Sequence, residues 1–170
     1  LRPYRPIELA RQLARSLRRE LDLASECRHA ERIAASFEGQ TDIIIPRVVW
    51  AHTSRRVNVQ QRVRGVPAED QAAIDAAGLD RHQIARRGAS AVLKMVVHDG
   101  FFHADPHPGN LFFLPGNRIA FVDFGMVGRV MPQRRDELLM LMLGLVQRDA
   151  GAVAEVLLEW TGDDNEIDDN

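Results

Sequence analysis

Residues 101–110 read FFHADPHPGN, and a little further on residues 121–125 read FVDFG. The first stretch sets two histidines, an aspartate, two prolines, a glycine and an asparagine between two apolar segments. Three chemistries compete for it: a histidine metal site, a tight turn around a satisfied histidine, and a loop that handles phosphate. Two histidines four residues apart bind zinc when a helix puts them on one face. Pro106 and Pro108 forbid a regular helix between His103 and His107. The turn reading asks only for stiff backbone and one buried imidazole. The phosphate reading asks for more. Phosphoryl transfer from a nucleotide needs a carboxylate near the accepting hydroxyl or water, and hard oxygen ligands for Mg²⁺ on the phosphates. The runs Leu111–Leu114 and Arg118–Asp123, joined by Pro-Gly-Asn, predict a β-hairpin. Its open end would bring Asn110 and Asp123 together, leaving Asp105 free on the proline-stiffened loop.

Working outward, Leu79–His98 reads as a helix with Ile84, Gly88, Ala91, Val92, Met95 and Val96 on one stripe, stopped by Gly100. Pro67–Gly78 reads as a short polar helix or loop. Asp42–Trp50 and Arg56–Val63 are β-rich runs predicted to pair as antiparallel strands, with Pro46 at an edge or bulge. From Pro6 to about Phe37 apolar residues recur at three- and four-residue spacing. There ELDLASE interrupts the rhythm, so two helices or one bent helix are expected. Asp22 and Glu26, like charges at i,i+4, mildly oppose a continuous helix; Arg18 and Arg19 would offset this. A helix starting at Pro132 runs to about Arg148, and another covers Ala152–Trp160. The apolar run Leu138–Val146, together with Trp50 and Trp160, is expected to be core packing.

The 170 residues carry 45% hydrophobic and 27% charged side chains, which excludes a disordered chain. A net charge of −2 gives no general electrostatic reason to bind nucleic acid. One cysteine, Cys27, permits neither an internal disulfide nor a cysteine-based zinc site. Leu138–Val146 falls well short of the ~20 apolar residues of a spanning helix.

The spacing His103-x-Asp105-x-x-x-x-Asn110, followed by Asp123-Phe124-Gly125, resembles the protein-kinase catalytic loop and D-F-G motif. The wording HADPHPGN, with ELD and Glu26 upstream, more specifically resembles the UbiB family of atypical kinase-like proteins linked to ubiquinone biosynthesis. That resemblance extends from the first helix to about Arg148. It implies an α+β, protein-kinase-like fold: a mostly α-helical C-lobe with a catalytic-loop β-hairpin, and a partial N-lobe sheet. Residues 1–63 would be the partial N-lobe, 64–160 the C-lobe, and 161–170 an acidic tail.

Carried over by position, the resemblance makes Asp105 the catalytic aspartate, with Asn110 and Asp123 as Mg²⁺ ligands. His103 would brace the loop and His107 contact the transferring phosphate. Glu26 would be the helix glutamate that pairs with a nucleotide-gripping lysine. Gln61, Arg62 and Val63 would form the hinge that meets adenine, and Glu20, Asp22, Phe124 and Gly125 would complete the family motifs. The cofactors implied are ATP and Mg²⁺. The partners implied are quinone precursors or lipid, and quinone-biosynthesis proteins. The location implied is cytoplasmic, peripheral at a bacterial inner membrane, or mitochondrial or plastid in a eukaryote.

Between Asp123 and Thr161 there is no Ser, Thr or Tyr. Loop phosphorylation as a switch is therefore excluded there, and a small-molecule or lipid-like acceptor, or plain ATP hydrolysis, is expected over a peptide substrate. Lys94, the only lysine, lies in the helix before the loop, and the family's lysine strand and K-x-G-Q segment are absent. The chain, opening LRPYRP, thus reads as a piece of a longer protein with little activity alone. The alternatives are a small-molecule phosphotransferase of the aminoglycoside or choline kinase type, and a nucleotide-binding scaffold without turnover.

Overall fold

A computed structural model describes residues 22–162. The helix expected from Pro6, and Glu20 with it, lie outside the described residues. Helix α1 (Leu23–Ser36) begins where ELD breaks the apolar rhythm, because Asp22 is its N-cap and accepts the Ser25 N–H at 3.3 Å. Asp22 and Glu26 are therefore not two charges on one helix face. Asp22 closes the helix start and pairs with Arg55 at 3.3 Å, and Glu26 sits in the first turn, where the helix dipole favours it. Ala24, Cys27, Ala30 and Ile33 form the buried stripe.

The main sheet has four strands: β1 (Ile43–Ile44), β2 (Val66–Pro67), β4 (Leu111–Leu114) and β5 (Arg118–Phe121), in the order β1-β5-β4-β2. The hairpin β4–β5 forms as its sequence predicts, with Gly116 and Asn117 both at positive φ in the turn. The pairing expected between Asp42–Trp50 and Arg56–Val63 is only partly realised. Val49 N–H donates to the Val59 carbonyl and Gln61 N–H to the Arg47 carbonyl, both at 2.8 Å, around a single bridge between Val48 and Gln60. Ile43 and Ile44 instead lie parallel to β5, opposite Ile119 and Ala120. Pro46, buried and without an N–H, ends that strand and separates it from the second pairing.

Helix α2 (Gln71–Ala76) is short; α3 (Arg81–Leu93) is capped by Asp80, whose carboxylate accepts from His82 and Gln83 N–H. The helix continues as a π turn over Lys94–Asp99, spanned by a 2.8 Å Lys94–Asp99 ion pair. Gly100 ends it at φ +63°. A β-carbon there would meet the Val130 carbonyl at 2.9 Å. The chain then enters β3 (Phe101–His103), which pairs antiparallel with β6 (Val127–Arg129). The sequence patterning does not predict this second sheet. The core gathers Ile33, Phe37, Ile43, Ile84, Met95, Phe101, Ile119, Phe121 and Phe124 between α1, α3 and both sheets.

Helices α4 (Pro132–Gln147) and α5 (Ala150–Gly162) form an antiparallel pair, turned at Arg148, and tied by Trp160 Nε1–H donating to Glu137. The expectation that Leu138–Val146 is core fails. Leu139, Met140, Leu143, Leu145 and Val146 are all exposed, Val146 at 82%; among the described residues the main packing partners of this helix are α5 and the π turn, and they leave these side chains uncovered. Trp50, also expected to pack inside, is 41% exposed and donates its indole N–H to Glu31. Among the described residues no helix is long and apolar enough to cross a membrane.

Candidate active site

Strand β3 delivers the loop that the sequence singles out. His103, at its end, is 2% exposed and faces the Val127 position of β6. Its ring leans on Phe124, centroids 5.1 Å apart, and meets Phe121 edge-on at 6.2 Å. Its Nδ1 accepts the Asp105 N–H at 3.3 Å, which places the proton of the neutral ring on Nε2. Burial holds the His103 pKa below the usual histidine value. The Met126 and Val122 carbonyls and the Asp123 and Asp105 carboxylates pull the other way without overcoming it.

The prolines that forbid a helix give instead a single 3₁₀ turn, Pro108–Asn110. His107 caps it: its Nδ1 accepts the Gly109 N–H at 3.0 Å, so the neutral ring carries its proton on the outward Nε2. Asn110 closes the turn by donating its N–H to the His107 carbonyl at 2.8 Å. Its side-chain Nδ2 donates to the Asp105 carbonyl at 3.2 Å, leaving Oδ1 as its remaining acceptor. The Asp105 carboxylate is exposed on the loop between these two anchors.

The hairpin register carries the arrangement across to the second motif. Leu111 stands opposite Phe121, and the Val122 N–H donates to the Asn110 carbonyl at 2.9 Å. Asp123 follows at φ +60°, a left-handed conformation that aspartate tolerates better than most residues because its side chain can bond locally. Here its Oδ1 accepts the Gly125 N–H at 3.1 Å, and Oδ2 is its second acceptor oxygen.

Helix α1 lies over this turn. The Glu26 pKa is raised, by burial first and by the Asp123 carboxylate second, with the Phe124 N–H drawing it back. Glu26 and Asp123 are thus close enough to repel. One helical turn along, His29 Nδ1 bonds the Phe124 carbonyl at 3.1 Å. Sequence reasoning missed His29; its only trace is a polar residue three positions after Glu26, on the same helix face.

The remaining expected site residues lie apart from this group. Asp22 serves the start of α1. Gln61 has its N–H committed to Arg47, so it belongs to the strand pairing and not to a free hinge. Arg62 and Val63 line a cleft of about 820 Å³ with Phe112, Phe113 and the hairpin turn, and neither Asp105 nor Asp123 borders it. At its edge a β-carbon on Gly65 would stand 2.8 Å from the Phe113 carbonyl, so glycine lets the chain pass this close to the hairpin.

The donors at the hairpin's open end suit Mg²⁺. An amide oxygen and a carboxylate are hard ligands, and Mg²⁺ ordinarily takes one or two protein carboxylates with phosphate and water completing its shell. The unshared charge of Glu26 and Asp123 favours a cation at this place. Among the described residues no group of three or more His, Cys, Asp or Glu converges as a metal cage.

A family model described as the ABC1 atypical kinase-like domain matches residues 2–157. The chain belongs to this family. The ABC1 domain is 32% identical, over 97% of its length, to a protein of Xanthomonas campestris pv. campestris named probable protein kinase UbiB. It is 35% identical over 80% of its length to an uncharacterised protein of Synechocystis sp.. It spans 31% of the first relative and 24% of the second. Among solved structures it is similar to a Mycobacterium tuberculosis protein determined in complex with erythromycin. The TM-score is 0.64 and the identity 24%, covering 88% of this chain and 37% of that one. That similarity bears on the fold, which is kinase-like and α+β.

Proposed function

We propose that this ABC1 domain binds Mg²⁺-ATP and passes the γ-phosphoryl group to a small-molecule or lipid-like acceptor, or to water. The observation that carries the reading is the Val122–Asn110 backbone bond at 2.9 Å, which holds the two candidate metal ligands at one end of one hairpin. Asn110 Oδ1 and the free oxygen of Asp123 would hold the ion, which neutralises charge on the phosphate oxygens. Asp105 takes the proton of the attacking hydroxyl or water. As the acceptor oxygen bonds to the γ-phosphorus, the bond to the ADP oxygen breaks, and the proton then passes from Asp105 to solvent. His107, with its proton on Nε2, is a donor available to the transferring phosphate. His103 holds the Asp105 backbone and stays neutral because it is buried. Arg62 and Val63 supply the backbone that meets the base.

A peptide acceptor fits poorly. Among the described residues a single residue, Met126, separates Gly125 from β6, and α4 starts at Pro132, so the stretch after the Asp-Phe-Gly turn offers no long segment to grip an extended chain. The resemblance to proteins named UbiB supports a place in ubiquinone or related isoprenoid-quinone biosynthesis at a membrane surface. The same reading divides the chain at about residue 63 into small-lobe and large-lobe parts, with ATP, quinone precursors and quinone-biosynthesis proteins as partners.

Asp105→Asn tests the reading. In the full chain, ATP turnover should fall by about 10²–10⁴-fold, the usual contribution of a positioned base, while Mg²⁺-ATP binding is retained. Turnover unchanged by Asp105→Asn would reject the assignment of the base, and a variant that still supports quinone production in cells would favour a nucleotide-binding scaffold.

A further inference from the structure

The Phe124 backbone is gripped from both sides by one face of α1. Its N–H faces the Glu26 carboxylate, and its carbonyl is bonded by His29 at 3.1 Å. A carbonyl can only accept, so His29 Nδ1 is the donor whatever the state of the other ring nitrogen. The imidazole is itself held in place. It is partly buried, and its ring meets the buried Phe101 ring edge-on, centroids 6.0 Å apart at 62°. Arg32, one turn further along the same face, lies over that Phe101 ring at 4.1 Å but has no bond to Phe124. The peptide that His29 holds is the one between Phe124 and Gly125, and the Gly125 N–H is the donor to Asp123 Oδ1. Holding the carbonyl fixes the plane of that peptide, and so the direction of the N–H that orients the Asp123 carboxylate.

We propose that His29 is a positioning residue that sets the orientation of Asp123 through the Phe124–Gly125 peptide, coupling the place of α1 to metal-dependent nucleotide binding. The inference rests on the reading of Asp123 as a metal ligand, so its test carries one arm that needs no nucleotide.

In the full chain, three variants are compared with wild type: His29→Leu, His29→Asn and Arg32→Ala. Asn can place an amide donor near the position of the histidine Nδ1; Leu cannot. Binding of a fluorescent ATP analogue is titrated with and without Mg²⁺, and hydrogen exchange is followed at the amides of residues 124–126. His29→Leu should weaken Mg²⁺-dependent binding by about fivefold, the scale of one net hydrogen bond. Binding without Mg²⁺ should stay the same, and exchange at 124–126 should speed up. His29→Asn should restore both. Arg32→Ala, which removes a packing contact on the same face, should change neither. The proposal is overturned if His29→Leu leaves exchange unaltered, if His29→Asn rescues nothing, or if Arg32→Ala reproduces the loss. Wild-type binding that ignores Mg²⁺ would sink the metal reading instead, and the exchange arm would then decide on His29.

Discussion

The carbonyl of Asn110 accepts the backbone N–H of Val122 at 2.9 Å, one step beyond the last paired residues of the hairpin. That bond joins the His103–Asn110 loop to the strand that leads into the Asp-Phe-Gly turn, and it sets Asn110 beside the residue that precedes Asp123. The loop cannot drift from the Asp-Phe-Gly turn without opening the sheet. The side chain of Asn110 adds a second restraint, from Nδ2 to the Asp105 carbonyl, so one residue ties the Asp105 loop to the Asp123 end of the hairpin.

Replacing Asn110 by Ala removes the side-chain bond and the amide oxygen but leaves the backbone bond to Val122. The expected loss of stability is modest, about 1 kcal/mol for one net hydrogen bond. If Asn110 is a Mg²⁺ ligand as proposed, the Mg²⁺ concentration needed for half-maximal ATP binding should rise by about tenfold or more. Asn110→Asp keeps an oxygen and should keep Mg²⁺ binding, while losing the donor to Asp105. Titrating Mg²⁺ at fixed ATP and comparing urea midpoints checks both statements.

Two glycines make opposite predictions about rescue. A β-carbon on Gly128 would fall 2.2 Å from Cζ of Phe102, whose ring lies across the β3–β6 pair. Gly128→Ala should destabilise by about 1–3 kcal/mol, as overpacking does, and Phe102→Leu should recover part of it by withdrawing the ring. At Gly65 the obstacle is the Phe113 backbone carbonyl at 2.8 Å. Gly65→Ala should cost a similar amount, and no truncation of Phe112 or Phe113 should relieve it. Denaturant midpoints of the single and double variants make the comparison.

The hairpin and the loop were legible in the sequence because their determinants are local. Pro-Gly-Asn can only turn, Pro106 and Pro108 exclude a helix, and Gly100 ends one. The break at Glu20–Asp22 was legible as an interruption, though its cause, an N-cap at Asp22, needed the backbone. Long-range choices left no such trace. Nothing in Ile43–Ile44 says that they pair parallel to β5 and not with the strand that follows, and the three-residue partnership of β3 with β6 is too short to pattern. The apolar side chains of α4 look like core in sequence, yet burial depends on what lies against them. His29 is a lone polar residue on a helix until the fold brings Phe124 to it, 95 residues away.

His103 should be neutral across the physiological range. Burial lowers its pKa in the folded chain, so its contribution to stability is present above the usual histidine value and is lost as pH falls through the lower folded value. The imidazole Cε1–H resonance of His103, followed by NMR, should titrate below the ordinary histidine value. A midpoint for His103 at or above the ordinary value of 6.5 would contradict the burial argument. His103→Ala should cost about 2–4 kcal/mol, as other large-to-small core changes do, because the rings of Phe121 and Phe124 lose the side chain between them.

Glu26 should behave in the opposite sense. Its pKa is raised, first by burial and then by the Asp123 carboxylate, so the folded chain binds this proton more tightly than the unfolded one. The stability it contributes is therefore complete below the ordinary value of 4.5 and declines as pH rises through the raised folded value. At neutral pH in the absence of a cation, the ionised pair Glu26–Asp123 opposes folding. Glu26→Gln should then be more stable than wild type at about pH 7.5, and the difference should shrink towards about pH 4, below the ordinary value of 4.5, as the Glu26 carboxyl takes up its proton. Asp123→Asn removes the second cause, so combining it with Glu26→Gln should give less than the sum of the two gains. Added Mg²⁺ should stabilise wild type more than either variant, because it relieves the same repulsion. Urea midpoints at the two pH values, with and without Mg²⁺, decide the matter: a Glu26→Gln chain less stable than wild type at neutral pH without Mg²⁺ would mean that another cation already sits between the carboxylates.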